Sequence, residues 1–140
     1  MLMQKRLVLA ALLFLPLLFS CKKTIEKKQQ DLVMTAIVTG RWYVSEYLVG
    51  TNNVTAEFDG YEFQFYNNGT VDGIKGSSTT QGAWSADSDN YTITAAFASS
   101  AGLPLTRLNG VWKWTDSDWT YIKTSYTNGG QTYYLSLRKK

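Results

Sequence analysis

Residues 61–70 read YEFQFYNNGT, and this stretch decides the fold class. Aromatic residues alternate with polar ones at Tyr61, Phe63 and Phe65, which is the two-residue period of a β-strand with one apolar face. The Asn68-Gly69 pair follows at once and readily takes the positive φ angles of a tight hairpin. The sequence therefore predicts that this strand turns back into an antiparallel neighbour.

Short runs of the same kind recur from Gly40 to the C-terminus. Tyr, Trp, Val, Thr and Phe dominate the runs, and clusters of Gly, Asn, Asp and Ser separate them, as in Asn128-Gly129-Gly130. This pattern is typical of an all-β domain. We predict eight strands, at about residues 40–49, 58–67, 70–75, 80–86, 90–97, 108–115, 118–126 and 131–138. The connections are mostly short, so the predicted order is up-and-down.

Alternation gives each predicted strand one apolar face. Over 90–97 this face holds Tyr91, Ile93, Ala95 and Phe97, and over 131–138 it holds Tyr133, Leu135 and Leu137. An open sheet of such strands would expose two edges, whereas closure into a barrel removes them. The predicted fold class is all-β, a small eight-stranded antiparallel barrel, and a two-sheet sandwich is the alternative.

A Gly-x-Trp motif occurs three times, as Gly40-Arg41-Trp42, Gly82-Ala83-Trp84 and Gly110-Val111-Trp112. Residues two apart on a strand share a face, and glycine lets a neighbouring ring or backbone approach closely. An Asp-Ser-Asp turn follows the second and third motifs, at 87–89 and 116–118. This repetition indicates two similar hairpins.

The order of these motifs resembles the lipocalin-like barrels, particularly the short lipocalin-like lipoproteins of Bacteroidota. The resemblance covers roughly residues 39–138 and includes Phe63-x-Phe65 before Asn68-Gly69-Thr70, then Gly82-x-Trp84. In lipocalins the first-strand Trp closes the barrel floor and an Arg from the last strand packs across it. The resemblance implies these structural roles for Gly40, Trp42 and Arg138. The chain is short for a lipocalin, so its interior either holds a small ligand or is filled by its own aromatic side chains.

The first twenty residues have the composition of a secretion signal. Lys5-Arg6 precedes an uncharged run from Leu7 to Phe19, which is shorter than the roughly 20 residues that span a bilayer. Leu18-Phe19-Ser20-Cys21 resembles the lipobox of bacterial lipoproteins. That resemblance implies removal of residues 1–20 and attachment of diacylglycerol and a further acyl chain at Cys21. An ordinary secretion signal with an incidental cysteine is the alternative.

The predicted organisation is a signal peptide over residues 1–20, a lipidated cysteine and tether over 21–38, and the barrel domain over 39–140. Four lysines lie within residues 22–30, and these would either be solvated or contact anionic lipid head groups. Apolar residues at helical spacing over 31–38 predict one or two helical turns before the barrel. We expect a cell-envelope protein held to the membrane by its N-terminal lipid. Lys22 directly after the anchor favours the outer membrane, and the basic tether favours its periplasmic face.

The composition argues against several functions. The chain has no His and one Cys, so His-dependent triads and thiolate sites are excluded once Cys21 carries lipid. We expect no catalytic residue, no metal and no cofactor. From Asp31 onward eight Lys and Arg stand against ten Asp and Glu, a net charge of −2, so no basic face for nucleic acid is expected. The Asp87-x-Asp89 and Asp116-x-Asp118 pairs lack the other ligands of a calcium loop and are interpreted as turn residues.

Aromatic residues make up 14% of the chain, enough to line a pocket for a small hydrophobic or aromatic-compatible ligand. The candidate ligand contacts are Trp42, Tyr61, Phe63, Phe65, Trp84 and Trp112. For each of them, simple filling of the core is the alternative. Residues 95–105 are interpreted as a long mobile loop, a candidate flap over one barrel mouth. Two functions stay open, namely a non-catalytic ligand binder and a solid barrel whose loops contact another protein as an inhibitor or assembly subunit.

Overall fold

The structure is a computed structural model that describes Lys28 and residues 31–140. The predicted signal peptide, lipobox and Cys21 lie outside the described residues. One compact unit runs from Val33 to Lys140, and of the preceding unit, Met1–Leu32, only Lys28, Asp31 and Leu32 are described. A helix, α1, covers residues 31–37 and confirms the predicted helical turns. Within the described residues, no helix is long and apolar enough to cross a bilayer.

The described chain then forms one antiparallel sheet. Its strands are β1 (Trp42–Val49), β2 (Asn52–Asn53), β3 (Tyr61–Phe65), β4 (Thr70–Lys75), β5 (Ser78–Asp87), β6 (Thr92–Ala96), β7 (Gly110–Ser117), β8 (Tyr121–Asn128) and β9 (Gln131–Lys139). β2 has two residues and pairs antiparallel with the C-terminal end of β1. The other eight strands follow in up-and-down order, and β1 also pairs with β9. The predicted eight-stranded antiparallel barrel is confirmed, and the sandwich is not formed.

The barrel closes mainly through the ladder between β1 and β9. This ladder runs from Trp42 opposite Lys139 to Val49 opposite Tyr133, with a β-bulge between Val44 and Glu46. A bulge adds one residue to one strand and so shifts the inward-facing positions by one. As a result both Val44 and Tyr47, three residues apart, are buried in the interior.

The end of the barrel at which β1 begins is sealed, and we call this end the floor. Trp42 is fully buried there, and its Nε1 donates a hydrogen bond of 2.8 Å to the backbone oxygen of Ile37, which is itself buried. The segment before β1 therefore packs as part of the barrel from Val33 onward. Residues 33–38, which the sequence assigned to the tether, belong to this compact unit.

The cation that lies over Trp42 is Lys139, and the role inferred for Arg138 is corrected. Lys139 Nζ is 5.1 Å from the Trp42 ring centroid and 5.9 Å from that of Trp119. Arg138 is exposed, because alternation along β9 places it on the outer face next to the inward Leu137. The resemblance implied that Arg138 packs across Trp42. The register of β9 instead places the next residue, Lys139, over this ring.

The opposite end, which we call the mouth, is covered by two loops. The first mouth loop, residues 54–60, contains the 3₁₀ turn Thr55–Phe58, and the second, residues 97–109, contains the turns Ser99–Ala101 and Leu105–Leu108. Phe58, Leu105 and Leu108 are buried within the barrel. The mobile loop predicted over 95–105 is therefore an ordered cover with side chains in the core.

Two of the three Gly-x-Trp motifs provide the predicted close approach. A Cβ at Gly82 would lie 2.8 Å from Phe97 Cδ1, and one at Gly110 would lie 3.1 Å from the Tyr126 ring. Gly40 differs, because it precedes β1 with a φ of +78°. The face predicted for Tyr91 is wrong, since this residue lies in the turn before β6 with a φ of +54° and is exposed.

Candidate ligand site at the barrel mouth

Burial of the inward-facing side chains decreases from the floor to the mouth. Along β8, Ile122 and Thr124 are buried whereas Tyr126 is half-buried, and along β9 the buried Leu137 and Leu135 are followed by a half-buried Tyr133. Residues at alternate positions of one strand face the same side, so these tyrosine rings also point inward. The mouth is therefore the end at which the interior meets solvent.

Five of the six predicted ligand contacts belong to the packed core. Trp42, Phe63 and Trp112 are at most 2% exposed, so protein atoms cover nearly all of their surface. Phe65 and Trp84 are buried against each other edge to face, with ring centroids 5.3 Å apart. The structure thus gives these five side chains the core-filling role that the sequence left open.

Tyr61, the sixth candidate, lies at the mouth and is half-buried. Its ring stacks on Phe63 with centroids 6.2 Å apart, and Lys75 Nζ lies 4.9 Å from its centroid. Tyr61 begins a row of seven rings in which successive centroids are 5.3–6.5 Å apart. The row runs through Tyr61, Phe63, Phe58, Tyr47, Trp112, Tyr126 and Tyr133.

The sequence missed three members of this aromatic row. Tyr126 follows Ile122 and Thr124 at the strand period, so the alternation of β8 was a usable signal. Tyr47 is out of phase with Trp42 because of the bulge, and Phe58 lies in a 3₁₀ turn without strand periodicity. Neither of these two carries a local pattern that identifies it as an interior residue.

Tyr47 connects β1 to both mouth loops. Its Oη donates a 2.7 Å hydrogen bond to the backbone oxygen of Arg107, and its backbone N donates one of 2.8 Å to Thr55 Oγ1. Burial raises the pKa of Tyr47 to about 12, so the phenol stays protonated and remains a donor at neutral pH. The loops are thus fixed from inside the barrel as well as at the surface.

At the surface, Arg107 and Glu57 join the two mouth loops. Arg107 Nε and Nη2 donate to Glu57 Oε2 and Oε1 at 2.6 and 2.8 Å, the two-pronged geometry that suits a guanidinium and a carboxylate. The hydrogen bonds from Arg107 hold the pKa of the Glu57 carboxyl below its usual range. Tyr47 and Tyr133 lie close enough to Arg107 to interact with its charge. The mouth therefore combines aromatic surface with a guanidinium that an ion pair holds in place.

In each of the pairs Asp87-x-Asp89 and Asp116-x-Asp118, one carboxylate stabilises a turn by accepting backbone hydrogen bonds. Asp87 Oδ1 accepts hydrogen bonds from the backbone N of Asp89 and Asn90, and Asp118 Oδ1 accepts from the backbone N of Thr120 and Tyr121. Hydrogen bonds from the Asn90 and Thr120 side chains, and then these backbone bonds, lower the pKa of the Asp87 and Asp118 carboxyls. In the part of the chain that the structure describes, no three His, Cys, Asp or Glu side chains are grouped to hold a metal.

A concavity of about 220 Å³ lies on the outer face of the barrel. The bulge in β1 forms one side of it, and Ser136 lies between Glu46 and Lys123 in the strand register. Its lining is polar and mixed in charge, and consists of Ser45, Glu46, Tyr121, Lys123, Ser136 and Arg138. This depression lacks the aromatic surface found at the mouth.

The strand order and the pairing of β1 with β9 define the class of fold as a closed antiparallel up-and-down barrel. No protein-family model matches the chain, and no curated protein matches its sequence. A DUF4847 family protein from Bacteroides vulgatus is similar in structure, with a TM-score of 0.56 and 16% identity over 77% of this chain and 97% of that one. An LTBP1 variant solved in complex with leukotriene C4 gives a TM-score of 0.40 and 14% identity, over 76% of this chain and 69% of that one. The first likeness supports the barrel fold.

Proposed function

We propose that the protein is a non-catalytic binding protein of the cell envelope, whose barrel takes one small apolar ligand at its mouth. The observation that carries this proposal is the position of Tyr61, Tyr126 and Tyr133, whose inward-facing rings keep exposed surface while the floor beneath them is sealed. Tyrosine offers an apolar ring and a polar tip, which suits a site that is partly open to water.

The ligand would lie higher in the barrel than the sequence suggested. Because Trp42, Phe63 and Trp112 contact protein atoms on all sides, the space for a ligand is bounded below by these rings. The half-buried rings of β8 and β9 form one wall of the site. The two mouth loops lie across its entrance, so the ligand is expected to be small.

A matched pair of substitutions on β9 tests the site. Tyr133 and Tyr134 are neighbours in the chain, but Tyr133 packs on Tyr126 inside the barrel and Tyr134 is exposed outside it. Native mass spectrometry of the mature protein purified from its source should show a co-purifying apolar compound. Tyr133→Ser should reduce its occupancy at least about tenfold, and Tyr134→Ser should leave it unchanged. Absence of any bound compound, or equal loss in both variants, would refute the proposal.

The envelope location rests on the lipobox. Lipidation of Cys21 would anchor the protein, since each buried acyl CH₂ contributes roughly 0.8 kcal/mol and two chains suffice for stable attachment. We propose the periplasmic face of the outer membrane. Cells labelled with a palmitate analogue should incorporate the label into the wild type but not into Cys21→Ala, and protease added to intact cells should leave the protein uncut. Label retained by Cys21→Ala would overturn the anchor, and cleavage in intact cells would overturn the face.

A second candidate function, a solid barrel that contacts another protein, is favoured by the filled interior. Phe58, Leu105 and Leu108 enter the barrel from the loops and leave those loops as rigid surface. If this is the function, apolar probes will not bind the purified protein, and cross-linking in intact cells will capture a defined partner through residues of the mouth loops.

A further inference from the structure

We propose that the ligand is an amphipathic carboxylate, whose acidic group displaces Glu57 from Arg107 and whose apolar part takes the place of Phe58. This inference rests on the proposed ligand-binding function and adds the chemical class of the ligand and the loop movement that admits it. Two observations support it: the ion pair between Arg107 and Glu57, and the burial of Phe58, which directly follows Glu57.

The first step concerns the cation. Arg107 already holds a carboxylate in two-pronged geometry at the rim of the barrel, and its side chain is 25% exposed while that of Glu57 is 36% exposed. A carboxylate from solution can therefore reach the guanidinium and replace an equivalent group. Lys75, which lies against Tyr61 at the same end of the barrel, adds a second positive charge to the mouth.

The second step concerns which partner would move. Arg107 belongs to a loop that is held at several points: Phe97 N donates to Asn109 Oδ1, Trp112 Nε1 donates to the Leu108 oxygen, and Leu105 is buried. The first mouth loop is held by backbone hydrogen bonds of Val54 and Thr55 at its start, by burial of Phe58 and by Glu57 itself. Beyond Thr55, the ion pair is therefore its one polar attachment to the second loop among the described contacts. The exchange would thus leave Arg107 in place and release the Thr55–Phe58 turn.

The third step links the exchange to space in the barrel. Phe58 directly follows Glu57, and its ring stacks on Tyr47 at 5.3 Å and lies 6.5 Å from Phe63. When the turn moves outward, Phe58 leaves the middle of the aromatic row. An acyl chain or aromatic group attached to the carboxylate then fills the vacated volume and restores the lost apolar contact.

Two probes that share a chain but differ in head group test the exchange. Dodecanoate and 1-dodecanol, both below the concentrations at which they aggregate, are titrated calorimetrically into the purified mature protein. The quantity of interest is the ratio of their affinities, because any general loosening of the loop affects both probes. The variants are Glu57→Gln, Arg107→Gln and Glu62→Gln. Glu62 is the matched control, since its carboxylate pairs with Arg41 and Lys140 rather than with a residue of the mouth loops and its replacement changes the net charge equally.

We expect the wild type to prefer dodecanoate. Glu57→Gln should raise the ratio about tenfold, as expected for an uncovered charge-assisted hydrogen-bonding site, Arg107→Gln should bring the ratio to about one, and Glu62→Gln should leave it unchanged. If both probes bind but the ratio is the same in all four proteins, the inference fails and the proposed ligand binding stands. If neither probe binds any of the proteins while each retains cooperative unfolding, the proposed apolar site fails as well.

Discussion

The Arg107 guanidinium holds the Glu57 carboxylate by two hydrogen bonds across fifty residues of sequence. The pair joins loops that come from opposite sides of the barrel mouth, one after β2 and the other after β6. Closure of the mouth thus depends on one surface ion pair, on a buried tyrosine hydroxyl and on the apolar side chains beneath them.

The first prediction concerns pH. Arg107 lowers the pKa of Glu57 in the folded state, so this carboxyl stabilises the fold at pH above its unfolded value and loses that contribution as pH falls through the lower folded value. Wild type should therefore have a higher urea midpoint than Glu57→Gln at pH 7, and the difference should vanish in acid. Glu46→Gln, on the outer face, is the control and should match the wild type throughout. A pH-independent difference for Glu57→Gln would contradict the assigned ion pair.

The second prediction concerns the floor. Trp42→Phe removes the hydrogen bond to the Ile37 oxygen and leaves that buried acceptor unpaired, at a cost of about 2–3 kcal/mol with the lost packing included. Trp84→Phe should cost less, about 1–2 kcal/mol, because its acceptor, the Tyr66 oxygen, also accepts a hydrogen bond from Gly69 N and so keeps a partner. Urea denaturation of both variants measures the difference. Equal costs would show that the floor is not sealed as described.

The third prediction concerns the close approach at Gly82. A Cβ there would lie 2.8 Å from Phe97 Cδ1 and 2.9 Å from the backbone oxygen of Ala96. Because the paired strand cannot retreat easily, Gly82→Ala should destabilise the barrel by about 1–3 kcal/mol. Ser85→Ala, an exposed change on the same strand, should stay within about 0.5 kcal/mol. Thermal unfolding compares the two, and a neutral Gly82→Ala would argue against this register of β5 and β6.

The fourth prediction separates Lys139 from Arg138. Lys139→Met removes a cation that lies over two indole rings and should reduce stability by about 0.5–1 kcal/mol. Arg138→Met, on the outer face, should change stability by less than about 0.5 kcal/mol. The two variants have the same net charge, so chemical denaturation at moderate salt isolates the contact. A larger effect at Arg138 would restore the role inferred from the family resemblance.

Local sequence patterns were sufficient to predict the strands, but not to predict which side chains point into the barrel near the bulge in β1. The hairpin at 61–75 follows from alternation and from Asn68, whose Oδ1 accepts a hydrogen bond from Thr70 N. Tyr47 escaped detection because the bulge in β1 changes the phase of alternation, and a bulge of this kind depends on the partner strand. Tyr91 was misplaced because a turn interrupts the pattern just before β6.

The sequence by itself determined the strand order, the turns and the apolar face of most strands, because these features depend on neighbours within a few residues. Only the tertiary structure decided that Lys139 lies over Trp42, that Phe58 and Leu105 fill the mouth, and that Arg107 meets Glu57. Those contacts join residues far apart in the chain, and they are fixed by the register and closure of the barrel. The mouth, where the candidate site lies, is built almost entirely from contacts of this second kind.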